Sequence, residues 1–401
     1  MSAKNKLLKV IYSTLLFPIY VRYCSQTLYQ SLIGCLRLFL KTNDVIWSKR
    51  AKALCELLIK TQRPDGGFDI GYDFNFGRLH KKGDSTSPEL VGLHALVEYY
   101  KAFGGEDVKI AAHRAASWVK TNAINLGDEK WAIPYGPYSI KEVMVYNGTS
   151  FAAGAIGVYL SVFQDDELEK IYHGLNKYLY GVLDVNIDNP GKFWYYSDRG
   201  RSDLTEIQRN KVDYYHQMQQ IEMHAMAELS FSSPLQKEMI LDATKHVANL
   251  QENTGIIPYY NTPTPIHMWG FCSCASGFIY ASQFDIGMRE EYLERARRVI
   301  KWIVDYSWTG DYFYPIVEKD GTVIDHNFYV RSDAWVFNTM ALAINEGVIE
   351  NDYLEICEKS YLKIESVNFS GIENHASNLR IRLVNRMLQN AATIKKRVWP
   401  K

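Results

Sequence analysis

A unit of two helices recurs along this chain roughly every 45 to 65 residues, and no other feature of the sequence limits the fold as much. Apolar residues fall at three- and four-residue steps over 46–61 and 89–103, 107–123 and 148–163, 167–183 and 212–230, 234–251 and 268–284, and 290–306 and 329–344. In each pair the first helix carries a charged face, as in Lys109, His113, Arg114 and Lys120, or Glu291, Glu294, Arg295 and Arg298. The second is rich in Ala, Gly and Met, the composition of an enclosed helix. A sixth pair is available from 353–363 with either 376–389 or 28–40. Such a pair cannot cover its own apolar face, so it stacks on its neighbours. Six of them predict an all-α (α/α)6 toroid with an inner and an outer ring. The expected division is a helical extension over residues 1–44 and the toroid over 45–401.

The connections place function. Links from inner to outer helix are short (FGGED, FQDD, FDIGMRE), whereas those from outer to inner helix are long and aromatic (WAIPYGPYS, GKFWYYSDRGR, TGIIPYYNTPTP, TGDYFYPIVEKDG). The long loops therefore gather on one face, at the N-termini of the inner helices, where ligand-facing groups are expected.

Lys and Arg together number 45, as do Asp and Glu, so the formal net charge is zero and no basic footprint for nucleic acid exists. The 28 Tyr and 9 Trp exceed what a core needs, and a ring with a polar edge suits flat, hydroxylated ligands such as sugars. Six scattered Cys (Cys24, Cys35, Cys55, Cys272, Cys274, Cys357) show no CxxC spacing, which points to a reducing, cytoplasmic compartment with neither metal nor cofactor. In residues 1–25, Lys4 and Lys6 precede an apolar run that Lys9, Pro18 and Arg22 interrupt. Neither a cleaved signal nor a full span fits this run. Its two readings are a helix packed over the outside of the domain and a peripheral membrane contact.

The stretches VMVYNGTSFAAGAIGVYL (143–160), VDYYHQMQQIEMHAMAEL (212–229) and YVRSDAWVFNTMALA (329–343) resemble segments of toroid proteins encoded with surface-polysaccharide biosynthesis genes. In architecture, 45–346 resembles the carbohydrate-active α/α-toroid proteins, which include unsaturated glucuronyl hydrolases, polysaccharide lyases and sugar epimerases. This resemblance implies the fold and an oligo- or polysaccharide substrate; it leaves the reaction open, since one fold hosts many chemistries. A non-catalytic glycan-binding or scaffold protein of a polysaccharide assembly complex is the alternative. A second resemblance, of TQRPDGGFDIG (61–71) to the Q-x-x-x-G-aromatic motif of terpene cyclases and prenyltransferase β subunits, implies an isoprenoid-handling toroid. No DxDD and no paired metal histidine accompany it, and Gly66 and Gly67 read as turn residues after a helix end.

Two chemistries suit the loop face. Glycoside hydrolysis needs two carboxyls across the scissile bond, for which Asp213, Asp333 and Glu89 are the candidates. Proton abstraction beside a carboxylate, as in a uronate lyase or epimerase, needs a Tyr or His base with a group that neutralises the acid. Tyr215, His216, Asn147 and Arg331 suit that role. Substrate contacts are expected from Asp69, Tyr138, Tyr146, Tyr196, Tyr260, Trp269 and Trp335 as well as Asn147 and Arg331. Each has a plainer reading: Asp213 as a helix cap, Arg331 with Asp333 as a structural ion pair, and Glu222 and His224 as satisfied core polars. His113, His173 and His246 are expected on the outer surface.

Overall fold

The computed structural model describes residues 24–71, 74–75, 79–80, 83–136, 144–186, 189–200 and 205–367. The expected segment before residue 24, the loop residue Tyr138 and the candidate helix 376–389 lie outside these. Twelve long helices follow in order: α1 (Ser25–Thr42), α2 (Val45–Thr61), α3 (Val91–Phe103), α4 (Glu106–Asn122), α5 (Tyr146–Leu160), α6 (Asp166–Gly181), α7 (Tyr214–Ser230), α8 (Gln236–Ala248), α9 (Met268–Ala281), α10 (Arg289–Ser307), α11 (Val330–Asn345) and α12 (Leu354–Glu365). Odd-numbered helices pack on one another around a ring, with α11 closing on α1, and each even-numbered helix packs outside the one before it. The expected (α/α)6 toroid is the fold. Among the described helices, none is long and apolar enough to cross a membrane.

The inner helices are enclosed as their composition requires. Every residue of α5 is buried, and every residue of α9 except Trp269. Their close approach depends on missing side chains. A Cβ on Gly154 would lie 2.8 Å from Met223 Cβ and 3.0 Å from the Met223 carbonyl oxygen, and one on Gly157 would lie 2.6 Å from Ala227 Cβ. Across the next seam, a Cβ on Gly277 would meet Met218 Cε at 2.6 Å. Glycine at these sites lets α5, α7 and α9 touch almost backbone to backbone.

The sixth inner helix is α1, which packs between α11 and α3. Fourteen residues of α1 are buried, among them Ser25, Gln26, Gln30 and Ser31, so the boundary expected at residue 45 falls inside the ring. Three of these polar residues find partners. Gln30 accepts from Asn338, Gln26 accepts from Arg331 at 2.8 Å, and Ser25 donates to the Glu89 carboxylate. A second correction concerns His246, which is enclosed rather than superficial. It stacks on Phe193 at 4.9 Å and meets the Asn189 amide at 3.2 Å, and burial pushes its imidazole down to about 4.

The Q-x-x-x-G stretch is a structural turn. The Gln62 amide donates to the carbonyls of Gly66 and Ala111, both at 2.8 Å, with Gly66 at φ +91°. Three helix pairs further on, the pattern repeats: Gln251 donates to Gly255 at 3.2 Å and Arg295 at 3.0 Å, with Gly255 at φ +95°. In both cases the glutamine ties the end of one outer helix to the next outer helix. Small antiparallel pieces shape the long loops: β1 (Phe74–Asn75) with β2 (Leu79–His80), β3 (Ile124–Gly127) with β4 (Lys130–Ala132), and β5 (Asp184–Asn186) with β6 (Asn189–Phe193). A three-stranded set, β7 (Ile266–His267), β8 (Ile316–Val317) and β9 (Val323–Asp325), links the loops before α9 and α11.

Gly154→Val forces a branched side chain against the Met223 backbone, so a loss of about 2–3 kcal/mol is expected. A melting or denaturant midpoint equal to wild type would show that the inner seam has slack.

Candidate active site

The site is built at the start of α7. Asp213 precedes the helix with extended backbone, bridges to Tyr260 in the neighbouring loop, and caps the helix by accepting the His216 N–H at 3.0 Å. Its second oxygen accepts from His216 Nδ1 at 2.6 Å. The side chain of Asp213 is 1% exposed and that of His216 17%. A buried carboxylate thus fixes the tautomer and rotation of a partly open imidazole, whose Nε2 makes no hydrogen bond to any described residue. The capping reading of Asp213 holds for one oxygen, and the other is bonded to the His216 ring.

Aromatic rings flank the histidine. Tyr196 meets it edge-on at 5.7 Å and Trp269 lies at 5.3 Å. Each ring carries a cation. Lys211 Nζ sits 4.1 Å from the Tyr196 centroid and 4.2 Å from that of Tyr260, which itself stacks on Tyr259 at 3.8 Å. The Arg331 guanidinium lies 4.8 Å over Trp269. Burial lowers the Lys211 ammonium from its usual value, and the nearby Asp213 charge pulls it part of the way back. Beside Arg331 a cleft of about 50 Å³ is lined by His267, Trp269, Tyr329 and Ser332. Asp213, His216, Tyr196, Tyr260, Trp269 and Arg331 are therefore brought together as expected, and Lys211 is the member that sequence reasoning missed. Its position two residues before the Asp213 cap is the signal that could have found it.

Other candidates are placed elsewhere. Tyr215 is fully buried, stacks on Tyr259 at 4.6 Å and donates its hydroxyl to the Ile257 carbonyl at 3.2 Å; burial holds the phenol well above its ordinary value. It is a wall residue, not a base. Asp333 is sealed within the ring wall, where it accepts the Phe313 N–H at 3.0 Å and faces Ser360 of α12 at 3.5 Å, and burial pushes its carboxyl well up. It shares no partner with Arg331, so the expected ion pair gives way to two separate anchors. Tyr146 packs edge-on against Tyr178 of α6 at 6.0 Å, Trp335 and Asn147 are buried, and the Asp69 carboxylate accepts the Gly71 N–H in its own loop. His224 is satisfied by Ser150 and Gln236, whereas one oxygen of Glu222 has no partner.

Glu89 lies in the turn Ser87–Leu90 before α3, fully buried, and caps the neighbouring helix rather than its own. It accepts the Gln26 N–H at 3.1 Å at the start of α1, where the helix dipole favours an anion. Through Gln26 it helps hold Arg331. Burial pushes its carboxyl up to about 7, against the opposing pull of Ser25, Arg331 and the Gln26 N–H. Among the described residues, no group of three or more His, Cys, Asp or Glu is placed to hold a metal ion.

Neither a protein-family model nor a curated protein sequence matches this chain. Solved structures do. A sugar epimerase from a ruminal bacterium is 13% identical, with a TM-score of 0.60 over 86% of this chain and 100% of that one. Cellobiose 2-epimerase from Bacillus thermoamylovorans is 12% identical, with a TM-score of 0.58 over 84% and 98%. An α-1,6-mannanase from Salegentibacter is also 12% identical, with a TM-score of 0.58 over 81% and 90%. The fold that the sequence resemblance implied is the fold these proteins share.

Glu89 makes the site's support sensitive to pH. Its folded value, about 7, stands above the ordinary 4.5, so the folded state holds the extra proton between those limits and stability falls as pH rises through them. Glu89→Gln removes this slope. From pH 5 to 8 the variant is expected to gain about 2–3 kcal/mol relative to wild type, read from urea midpoints at each pH. A difference that stays flat would mean that Glu89 is already ionised at pH 5.

Proposed function

We propose that this protein is an enzyme that acts on an acidic oligo- or polysaccharide by moving a proton on and off carbon, with His216 as the base. The observation that carries this reading is the Asp213–His216 dyad, with Nε2 unbonded, set between two aromatic rings that each hold a cation. Nε2 takes the proton from the carbon beside the sugar's carboxylate. Asp213 stabilises the imidazolium through Nδ1–H, and Lys211 and Arg331 offset the negative charge that builds on the acid group. Tyr196 and Trp269 offer ring faces to the apolar C–H side of a pyranose. A proton delivered from solvent to the opposite face gives an epimer, while expulsion of a β-substituent, which takes the proton from Nε2–H, gives an unsaturated product.

Hydrolysis has less support. It needs two carboxyls facing one bond, whereas Asp213 is engaged by His216, Glu89 caps α1 from a sealed position, and Asp333 lies in the ring wall. The epimerase structures of like fold agree with the proton-transfer reading, and the resemblance of 143–160 and 212–229 to proteins of surface-polysaccharide gene clusters suggests the kind of glycan. Six free, buried thiols suit the reducing compartment in which such glycans are assembled.

Uronate-containing oligosaccharides incubated with the protein in D2O test this. Deuterium at the carbon beside the carboxylate, or an ultraviolet-absorbing unsaturated uronide, is the expected result. His216→Ala should lower turnover by roughly a hundredfold or more, with helical content unchanged. Lys211→Ala should lower both kcat and kcat/KM for the acidic glycan, since the charge it offsets builds up in the transition state. A new reducing end without deuterium would mean hydrolysis, and binding without turnover would mean a glycan-binding module.

A further inference from the structure

The ring has a second mouth, opposite the long loops. At the C-terminal ends of α1, α3 and α7 a cavity of about 410 Å³ opens, within the range of small-molecule sites, about 300–1,000 Å³. Leu36, Phe39, Ala102 and Met226 form apolar walls, and Leu40 and Leu229 form a rim in which they are 68% and 54% exposed. Arg37, His94, Glu98, Lys101, Ser230 and Tyr280 supply its polar groups.

Arg37, 8% exposed, is the chief of these. Its guanidinium bonds only to neutral acceptors: the Asn338 side-chain oxygen at 2.5 Å and carbonyl at 3.4 Å, the Tyr280 hydroxyl, and Met226 Sδ at 4.0 Å. Its Nε–H makes no hydrogen bond among the described residues. The nearest carboxylates act on it only at longer range: Glu98 is paired with Lys101 at 2.9 Å, and Glu222 makes no ion pair. His94, 1% exposed, lines the same cavity with Nδ1 unpartnered. A buried charge is normally matched by a close counter-ion; here Glu222 and Glu98 favour the charged guanidinium from a distance, and neither bonds to it.

We infer that this cavity is a second binding site, for an amphipathic monoanion: a hydrocarbon chain along the leucine-rimmed walls, ending in one carboxylate on Arg37. The carboxylate supplies a close counter-charge and accepts from Nε–H, a charge-assisted bond. The chain removes the apolar wall from water. Contacts across the ring, such as Tyr29 to Met226 at 3.7 Å, separate this ligand from His216 at the other mouth.

Calorimetric titration of the full chain with sodium decanoate, below its micelle-forming concentration, tests the site. One saturable site is expected, with decanol and acetate each at least about tenfold weaker, a difference of about one step of 1.4 kcal/mol. Leu229→Glu, at an exposed rim position, should weaken decanoate at least tenfold with an unchanged melting temperature. Arg37→Met should do the same, and His216→Ala should leave decanoate binding as it is. Absence of saturable binding, decanol bound as tightly as decanoate, wild-type affinity in Leu229→Glu, or loss of binding in His216→Ala would each overturn the inference. The Leu229 variant carries the test if Arg37→Met does not fold.

Discussion

Everything in this molecule depends on how closely the inner helices approach. With glycine at 154, 157 and 277, three neighbouring inner helices press backbone against side chain with no room for another carbon. Among the described residues, this ring is bridged from within. Its axis is crossed by side chains, with Tyr29 reaching Met226 and Arg37 reaching both Tyr280 and Asn338. Chemistry is thereby confined to the two mouths, and the inner-helix N-termini at the first are where Asp213 finds a helix to cap and a histidine to hold.

Much of the ring was legible in the sequence because helical period and Gly/Ala content report burial directly. The helix α1 was harder to place, since its polar residues Ser25, Gln26 and Gln30 are matched by Glu89, Arg331 and Asn338. Those partners lie far away in sequence, and no local pattern shows them. At the site, neighbouring residues had opposite fates. Tyr215 stands three positions before Met218, on the apolar spine of α7, while His216 is turned about 100° further around the helix, toward the mouth. That offset was readable. The inward turn of Asp333 was not, because it is fixed by the Phe313 N–H and Ser360, which belong to another loop and an outer helix.

The two candidate sites also show how one fold uses charge in two ways. On the loop face, cations rest on half-buried ring faces, with Arg331 also bonded to Gln26 and Lys211 near the Asp213 charge. At the other mouth, Arg37 is held by neutral oxygens in an apolar cup, which fixes its position but leaves its charge without a bonded carboxylate. Glu222 and Glu89, both pushed up to about 7 by burial, add carboxyls that remain partly protonated near neutrality. The interior therefore holds few fixed charges despite its many polar groups.

The closing seam between α1 and α11 bears on how the protein is made. Gln26, Gln30 and Arg37 bond to residues 305, 308 and 301 positions further along the chain. A ribosome adding about 5–20 residues per second needs roughly 15 to 60 s to supply them. Throughout that interval the first inner helix, fourteen of whose residues are destined for burial, waits without the partner that completes its cover. Newly made chains thus pass through a long-lived open arc with apolar edges at both ends, a species that a chaperone would recognise and that two such arcs on one message could join.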